Sequence, residues 1–125
     1  RVWLLHGDDG LDEATTTGLT HVVALEDGEI RAFDLSPEEA GLPRATMQAL
    51  VGGDAAHNAR ALRAVLDGEK NAYRDIAALN AGVALVVAGH AADLREGVAR
   101  AEAALDSGAA RDKLEALIRC SNRDA

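Results

Sequence analysis

The sequence predicts a protein of the α/β class, and three observations lead to this prediction. The first third of the chain contains short apolar runs bounded by Gly- and Asp-rich turns, a pattern typical of strands. From Asp54 onward the chain is rich in alanine, and its apolar residues follow helical spacing. The opening run, VWLL, is continuously apolar, as strands buried in a parallel sheet are. The expected order is one strand, an acidic loop, a β-hairpin and then four helices.

The first predicted strand spans residues 2–5. Because both of its faces are apolar, we expect it to be buried, with parallel neighbours on both sides. The hairpin further along the chain is a poor source of such neighbours, so we expect them upstream, in a longer parent chain. A sequence that opens on Arg1 fits the same expectation.

The β-hairpin is predicted at residues 21–35. Before it, residues 7–20 (GDDGLDEATTTGLT) are dominated by Gly, Asp and Thr and predict a loop of functional length. The runs HVVALE and EIRAFDL flank Asp27 and Gly28, a pair that favours the positive φ angles of a two-residue type I′ turn. The two strands are therefore expected to pair antiparallel.

A short helical turn is predicted after the hairpin. Ser36 and Glu39 have the spacing of a capping box, and Pro37 occupies the first helical position. Gly41 and Pro43 end this turn. The connection that follows is expected to be irregular, with one more helical turn.

Four helices are predicted in the rest of the chain. They run from the cap Asp54 to about Asp67, from Asn71 to about Ala88, from Asp93 through Leu105, and from Ser107 through Ile118. The first is expected to bury Leu62 and Leu66. The second is apolar nearly all round at AGVALVVAG, so it is expected to be the central buried helix.

Composition and charge restrict the classes of function. A chain of 125 residues is long enough for one domain with one core. Its formal net charge of -8 argues against nucleic acid and anionic membrane surfaces as partners. No apolar run is long enough to span a bilayer, and the single cysteine, Cys120, fits a reducing cytosol. We therefore expect a cytoplasmic protein with neither nucleic acid nor membrane as a partner.

The stretch HGDDGLDE, at residues 6–13, places four carboxylates within six positions. Ligand sites of open α/β sheets form just past the carboxyl ends of strands, which is where this stretch lies. The adjacent Asp12 and Glu13 offer hard oxygen ligands, and Mg²⁺ takes one or two protein carboxylates while it keeps waters and phosphate oxygens. A solvated acidic turn, common in an acidic protein, explains the same residues. The residue types alone leave both explanations open.

No other motif points to catalysis. His6, at the end of the strand, is expected to organise the acidic loop by hydrogen bonding and not to act as a base. His57 and Asn58 are expected on a helix surface, and the GGD step at residues 52–54 is expected to be a structural helix start, because its aspartate would repel an anion. No pairing of a nucleophile with a base is visible. The sequence therefore indicates no catalytic side chain and no organic cofactor.

The string HGDDGLDE, followed by a Thr-rich segment ending in GLT, resembles the acidic motif of the anthranilate phosphoribosyltransferase family. Later segments are similar to the same family in the same order: EDGEIRAFDLSPEEAGLPRA, GGDAAHNARALRAVLDGEK, RDIAALNAGVALVVAG and REGVARAEAALDSGAARDKLEAL. The resemblance covers essentially the whole chain. It implies that residues 1–125 are the C-terminal segment of the family's large α/β domain, part of a mainly parallel sheet with flanking helices.

The resemblance also implies a function. Members of the family displace pyrophosphate from phosphoribosyl pyrophosphate with the amine of anthranilate, a step of tryptophan biosynthesis. Carried over by motif, Asp12 and Glu13 would bind Mg²⁺, while Asp9 and His6 would shape the loop. The full-length enzyme would be a homodimer with these two small molecules as substrates.

The resemblance is incomplete in one respect. The family's GTGGD and KHGN motifs, which grip phosphoribosyl pyrophosphate, do not occur in this sequence. We therefore expect the isolated chain to be inactive. The alternatives are a non-catalytic relative or structural fragment of the same fold, and an enzyme similar to the pyrimidine nucleoside phosphorylases.

Overall fold

A computed structural model describes residues 1–122 of the chain. Within these residues it contains three strands and five helices, so the predicted α/β class and order of elements are confirmed. The strands are β1 (Val2–Gly7), β2 (Thr20–Glu26) and β3 (Glu29–Leu35), and the helices are α1 (Met47–Leu50), α2 (Ala55–Leu66), α3 (Ala72–Val87), α4 (Leu94–Asp106) and α5 (Ala109–Ser121). None of these helices combines the length and the hydropathy that crossing a bilayer requires.

The three strands form one antiparallel sheet in the order β1-β2-β3. The expectation that the first strand has parallel neighbours on both sides, which the hairpin does not supply, is therefore wrong for the described part of the chain, where β2 of the hairpin pairs antiparallel with β1. The reason lies in the loop that joins β1 to β2. The amide of Asp8 donates to the carbonyl of Leu19 at 2.9 Å, so the two ends of the loop meet and the chain reverses direction.

The predicted hairpin of β2 and β3 is confirmed. Asp27 and Gly28 have φ angles of 50° and 84°, as the type I′ turn requires. This two-residue turn fixes the register of the strands, because neither strand can shift without changing the turn. One consequence is that His21 lies directly opposite Asp34.

The two faces of the sheet differ in burial. Side chains alternate between the faces of a strand, and the inner face carries the buried Val22 and Ala24. The outer face carries five exposed apolar side chains: Val2, Leu4, Val23, Leu25 and Ile30. The expectation that the first strand is buried on both faces is thus wrong within residues 1–122, where Leu4 is 67% exposed. Contiguous apolar surfaces of this kind are typical of faces that another protein segment covers.

The segment after β3 contains the predicted capping box. The amide of Ser36 donates to Glu39 Oε2 at 2.7 Å, and the amide of Glu39 donates to Ser36 Oγ at 3.4 Å. The turn is tight, since the amide of Glu39 also bonds the carbonyl three residues before it. It ends at Gly41, and α1 is the further helical turn that the sequence predicts.

Side-chain caps begin three of the long helices, as predicted. Asp54, Asn71 and Asp93 each accept a hydrogen bond from the amide three residues later. The prediction that Ser107 caps the last helix is wrong by one residue. Ser107 still has helical dihedral angles and ends α4, whereas Gly108 precedes α5 with a φ of 80°. Glycine adopts this left-handed conformation without the steric cost that serine would incur.

The core lies between the inner face of the sheet, the acidic loop, α3 and α4. Its buried members are Ala14, Ala40, Leu42, Ala78, Leu79, Val83, Val98 and Ala101. As predicted, α3 is the most deeply buried helix, and Ile76 and Val86 on it are also buried. On α2 Leu66 is buried but Leu62 is 38% exposed, because Val65 takes the inward position.

Helices α3 and α4 touch backbone to backbone at Gly82 and Gly97. A Cβ on Gly97 would lie 2.5 Å from the Gly82 carbonyl oxygen, and one on Gly82 would lie 2.8 Å from the amide nitrogen of Val98. Rotation of a side chain cannot relieve either contact, because both involve backbone atoms. The close approach of the two helices therefore requires glycine at both positions.

The substitution Gly97→Ala is expected to lower the free energy of unfolding by about 1–3 kcal/mol, the usual cost of overpacking. Replacing glycine by alanine in a helix interior ordinarily raises the free energy of unfolding by about 0.5–1 kcal/mol. For Gly97→Ala we expect a decrease instead. Urea unfolding followed by circular dichroism measures the change. Ala99→Gly on the exposed side of α4 is the control, with an expected loss of about 1 kcal/mol from helix propensity alone. A Gly97→Ala variant as stable as the parent would contradict the packing described above.

Candidate functional site

The acidic loop, residues 8–19, leaves the carboxyl end of β1 and returns into β2. The bond between Asp8 and Leu19 closes its base. Inside the loop, Thr15 and Thr16 are fully buried, and the amide of Thr15 donates to Thr20 Oγ1 at 2.9 Å. The loop is therefore an ordered, hydrogen-bonded segment, and its four carboxylates occupy distinct environments.

Asp9 is the internal acceptor of the loop. The hydroxyls of Thr15 and Thr17 both donate to Asp9 Oδ2, and the amide of Leu11 donates to Oδ1 at 3.1 Å. Partial burial acts to raise the pKa of Asp9, but these hydrogen bonds outweigh it and hold the pKa below its usual value. Asp9 therefore shapes the loop, as predicted.

His21 links the loop to the hairpin. Its Nε2 lies 2.7 Å from Asp8 Oδ1, and its Nδ1 lies 2.7 Å from Asp34 Oδ1. The hydrogen bond with Asp34, followed by the one with Asp8, raises the pKa of His21 above its usual value. Asp8 is thus held in place by the imidazole of His21, a side chain of the neighbouring strand.

The prediction that His6 organises the loop is wrong. His6 is exposed, and its side chain forms no hydrogen bond with any other described residue. The reason is the register of the sheet: His6 and His21 are cross-strand neighbours, but only His21 lies opposite Asp34. The histidine of β2 therefore takes the organising position that the sequence indicated for the histidine of β1.

Asp12 and Glu13, the predicted metal ligands, are exposed on the loop. Within residues 1–122, the hydrogen bonds to side-chain carboxylates of the loop go to Asp8 and Asp9 only. Partial burial, followed by the negative charges of Asp12 and Asp9, raises the pKa of Glu13 above its usual value. The structure therefore brings Asp12 and Glu13 into electrostatic contact, and no cationic side chain of residues 1–122 forms a salt bridge with either of them.

An apolar cleft of about 300 Å³ opens beside Glu13. Its lining residues are Leu11, Glu13, Met47, Leu50, Val51, Tyr73 and Ile76. A neighbouring cleft of about 460 Å³ shares Leu50, Val51 and Tyr73 with it and extends to the start of α2. Apolar walls with a few polar groups at the rim are typical of small-molecule sites.

Helix α3 holds the far end of the loop through Asn80. The amide of Ala14 donates to Asn80 Oδ1 at 2.9 Å, and Asn80 Nδ2 donates to the Ala14 carbonyl at 2.8 Å. Nδ2 also donates to the carbonyl of Ile76, one turn back on the same helix, at 3.0 Å. Ala14 is 1% exposed and part of the core. The residue that follows Glu13 is therefore fixed by both its side chain and its backbone.

The donors in this loop fit Mg²⁺. No cluster of three or more His, Cys, Asp or Glu residues suited to a metal occurs in the described part of the chain. Mg²⁺ does not require such a cluster, because it takes one or two carboxylates together with waters and substrate phosphates. Asp12 and Glu13 are hard oxygen donors, and the repulsion between them is the kind that a divalent cation relieves.

The other candidates from the sequence are structural, as expected. Asn58 closes the turn before α2, since its Oδ1 accepts from the amide of Gly53 at 2.9 Å and its Nδ2 donates to the Gly53 carbonyl at 3.1 Å. His57 and Asn58 are both exposed. Cys120 is an exposed thiol.

His21 and Asn80 organise the loop without having been predicted to do so, although each leaves a signal in the sequence. A two-residue turn at residues 27–28 pairs residue 21 with residue 34, which places a histidine opposite an aspartate. Asn80 is the one amide in the apolar stretch AALNAGVALVVAG, and a polar side chain on a buried helix needs a hydrogen-bond partner.

The chain belongs to a family of glycosyl transferases. A family model described as "Glycosyl transferase family, a/b domain" matches residues 1–111. This match covers most of the chain. It defines the class of protein to which the sheet, the acidic loop and the helices belong.

Within this class, similar relatives are named anthranilate phosphoribosyltransferase, which confirms the resemblance seen in the sequence. The chain is 65% identical over 123 residues to the enzyme of Methylocella silvestris and 65% identical over 122 residues to that of Methylorubrum extorquens strain PA1. The alignments cover 98% of this chain but 35% and 36% of the relatives. The chain thus spans about a third of the length of these curated relatives.

Solved structures with the same enzyme name share the fold. The anthranilate phosphoribosyltransferase of Thermus thermophilus superposes with a TM-score of 0.82 and 41% identity, over 92% of this chain and 34% of that one. The Saccharomyces cerevisiae enzyme in complex with PRPP and Mg gives a TM-score of 0.79 and 29% identity, over 90% of this chain and 33% of that one. The yeast enzyme in complex with 4-fluoroanthranilate gives a TM-score of 0.80 and 29% identity, again over 90% of this chain and 33% of that one.

The contribution of His21 to stability is expected to depend on pH. Because its pKa is raised in the folded protein, protonated His21 stabilises the fold fully below its unfolded pKa of about 6.5. This stabilisation is lost as the pH rises through the folded pKa. The difference in unfolding free energy between the parent and His21→Ala should therefore be larger at about pH 6 than at about pH 9. Urea unfolding at both pH values measures it.

His90→Ala is the control for this measurement. His90 is exposed and its ring contacts no carboxylate in the described part of the chain. A His21→Ala difference that stays constant with pH, or that grows as the pH rises, would contradict the bridge between Asp8 and Asp34.

Proposed function

We propose that residues 1–125 are the C-terminal segment of the large α/β domain of an anthranilate phosphoribosyltransferase. The proposed activity of the full-length protein is transfer of the phosphoribosyl group from phosphoribosyl pyrophosphate to anthranilate, with release of pyrophosphate. Its support is the 65% identity to enzymes of that name over nearly the whole chain. The observation that carries the site is the exposed Asp12 and Glu13 pair, which has no cation partner within residues 1–122.

In the proposed reaction the amine of anthranilate forms a bond to C1 of the ribose, and the bond from C1 to the pyrophosphate oxygen breaks. The amine then loses a proton. A bound Mg²⁺ would neutralise the negative charge that develops on the leaving pyrophosphate. Asp12 and Glu13 would hold the ion, and no residue of this chain needs to act as a nucleophile.

The environment of the pair suits this role. Asp9 and Asp8 are tied to hydroxyl, amide and imidazole groups of the loop and sheet, so they shape the loop and leave the metal to the other two carboxylates. The causes that raise the pKa of Glu13 are partial burial and neighbouring negative charges, and a bound cation would oppose them because an adjacent positive charge lowers a carboxyl pKa. The apolar cleft beside Glu13 offers a surface for the organic part of a substrate.

The exposed outer face of the sheet supports the idea that further protein completes the domain. Relatives are about three times longer than this chain, and five apolar side chains of the face remain exposed within residues 1–122. We therefore infer that the isolated chain is inactive. The proposal also includes Mg²⁺ dependence, the homodimer that the family resemblance implies, and the cytoplasmic location that the composition favours.

No observation favours the alternatives. An enzyme similar to pyrimidine nucleoside phosphorylases and a non-catalytic relative would both share the fold. The relatives and structures described above all carry the name anthranilate phosphoribosyltransferase. A catalytic role for the acidic loop explains its internal hydrogen bonds and its two exposed carboxylates together.

The double substitution Asp12→Asn with Glu13→Gln in the full-length protein is expected to lower turnover by at least about 100-fold, because electrostatic stabilisation of the leaving group is lost. Anthranilate-dependent consumption of phosphoribosyl pyrophosphate, measured at several Mg²⁺ concentrations, gives the result. Glu102→Gln with Asp112→Asn, on α4 and α5, is the control with the same change of charge. Parental turnover and Mg²⁺ dependence in the Asp12 and Glu13 variant would disprove the metal assignment.

A further inference from the structure

Asn80 makes a two-bond contact with the backbone of the acidic loop. Its Oδ1 accepts from the Ala14 amide and its Nδ2 donates to the Ala14 carbonyl, at 2.9 and 2.8 Å. The two residues are 66 positions apart in sequence. The side-chain amide thus pairs with the loop as a neighbouring strand would, and it joins α3 to the loop.

This contact acts on the peptide group of Glu13 itself. The Ala14 amide belongs to the peptide that joins Glu13 to Ala14, and peptide groups are planar. A hydrogen bond to that amide therefore restricts the orientation of the plane on the carboxyl side of the Glu13 Cα. Since Asn80 Nδ2 also donates to Ile76 within α3, the side chain cannot rotate without losing three hydrogen bonds.

The opposite end of the acidic pair is held independently. The amide of Leu11 donates to Asp9, whose other oxygen accepts from two threonine hydroxyls. Asp12 and Glu13 therefore lie between two fixed points, one formed by Asp9 and the other by Asn80. Of these two fixed points, only the one formed by Asn80 connects the pair to helix α3.

We propose that Asn80 is a positioning residue for the Asp12 and Glu13 carboxylates, a role that rests on the proposed metal-binding function of that pair. Asn80 does not contact the metal or the substrate. It holds the peptide next to Glu13, so that the backbone carrying both carboxylates is already fixed before the ion binds. Groups that orient metal ligands typically contribute about 10–100-fold to metal affinity.

The structure supplies a matched control for this proposal. Asn58 makes the same two-bond contact with the backbone of Gly53, at 2.9 and 3.1 Å, but at the start of α2. Asn80→Ala and Asn58→Ala each remove one such contact, so both are expected to lower the melting temperature of the full-length protein. Only Asn80→Ala is expected to change the affinity for metal.

The experiment titrates Mn²⁺ into the full-length protein with phosphoribosyl pyrophosphate present and anthranilate absent, and it measures unbound Mn²⁺ by electron paramagnetic resonance. Asn80→Ala should weaken Mn²⁺ binding by about 10–100-fold, while Asn58→Ala should leave it unchanged. Equal affinities in the two variants would overturn the proposal. If Asn80→Ala does not fold, Asn80→Ser and Asn58→Ser, which are neutral and retain a polar group, are compared in the same way.

This test separates the positioning role from the metal assignment. If the parent protein binds Mn²⁺ and Asp12→Asn with Glu13→Gln abolishes binding, the metal assignment stands whatever Asn80→Ala does. If the double variant binds as the parent does, both the assignment and the role of Asn80 fail. Weaker Mn²⁺ binding in Asn80→Ala but not in Asn58→Ala, with both variants folded at the temperature of the titration, is the result expected from positioning.

Discussion

The main constraint on this structure is the mutual repulsion of four carboxylates in one short loop, those of Asp8, Asp9, Asp12 and Glu13. Like charges at this spacing repel, and a loop that carried them all in the same environment would be unstable as an ordered segment. The four carboxylates lie in two kinds of environment, which limits this repulsion. Asp9 is saturated by the donors of Thr15, Thr17 and Leu11, and Asp8 is held by His21. Asp12 and Glu13 remain exposed and repel each other.

Holding Asp8 and Asp9 by hydrogen bonds while Asp12 and Glu13 stay exposed requires contacts from several parts of the fold. The hydrogen-bond partners of the loop come from different parts of the fold: His21 from the sheet, Asn80 from α3, and the threonines from the loop itself. Helix α3 has a fixed position because it packs against α4 at the contact of Gly82 with Gly97. The sheet holds the loop at Asp8, Leu11 and Thr15, and α3 adds a support at Ala14, the residue next to Glu13. A pair of carboxylates held in this way would be preorganised for the cation that we propose.

Local signals predicted the local structure well. The turn at Asp27 and Gly28 and the caps at Asp54, Asn71 and Asp93 depend on the conformational preferences of a few adjacent residues, and the structure confirms them. The last cap was displaced by one residue because a left-handed glycine, Gly108, separates α4 from α5. This error at a helix boundary arises because a favoured cap residue, Ser107, lies next to a glycine that adopts the left-handed conformation.

Features that depend on distant contacts were harder to predict. The direction in which β1 pairs depends on whether the acidic loop brings its ends together, and that depends on its internal hydrogen bonds. The choice of His21 over His6 as the organiser depends on the register of three strands. Asn80 contacts a residue 66 positions away, so no local pattern reveals its partner. Asp12 and Glu13 are proposed as the metal pair on the basis of a family motif, because residue types alone fit a solvated turn equally well.

The most direct test of the central claim is the position of the metal ion in the full-length protein. Crystals grown with Mn²⁺ and phosphoribosyl pyrophosphate would be measured for anomalous scattering by manganese. We expect an anomalous peak at a coordination distance of about 2.1 Å from carboxylate oxygens of Asp12 and Glu13, with none at Asp8 or Asp9. A peak in the substrate site that lies beyond coordination distance of both Asp12 and Glu13 would contradict the account.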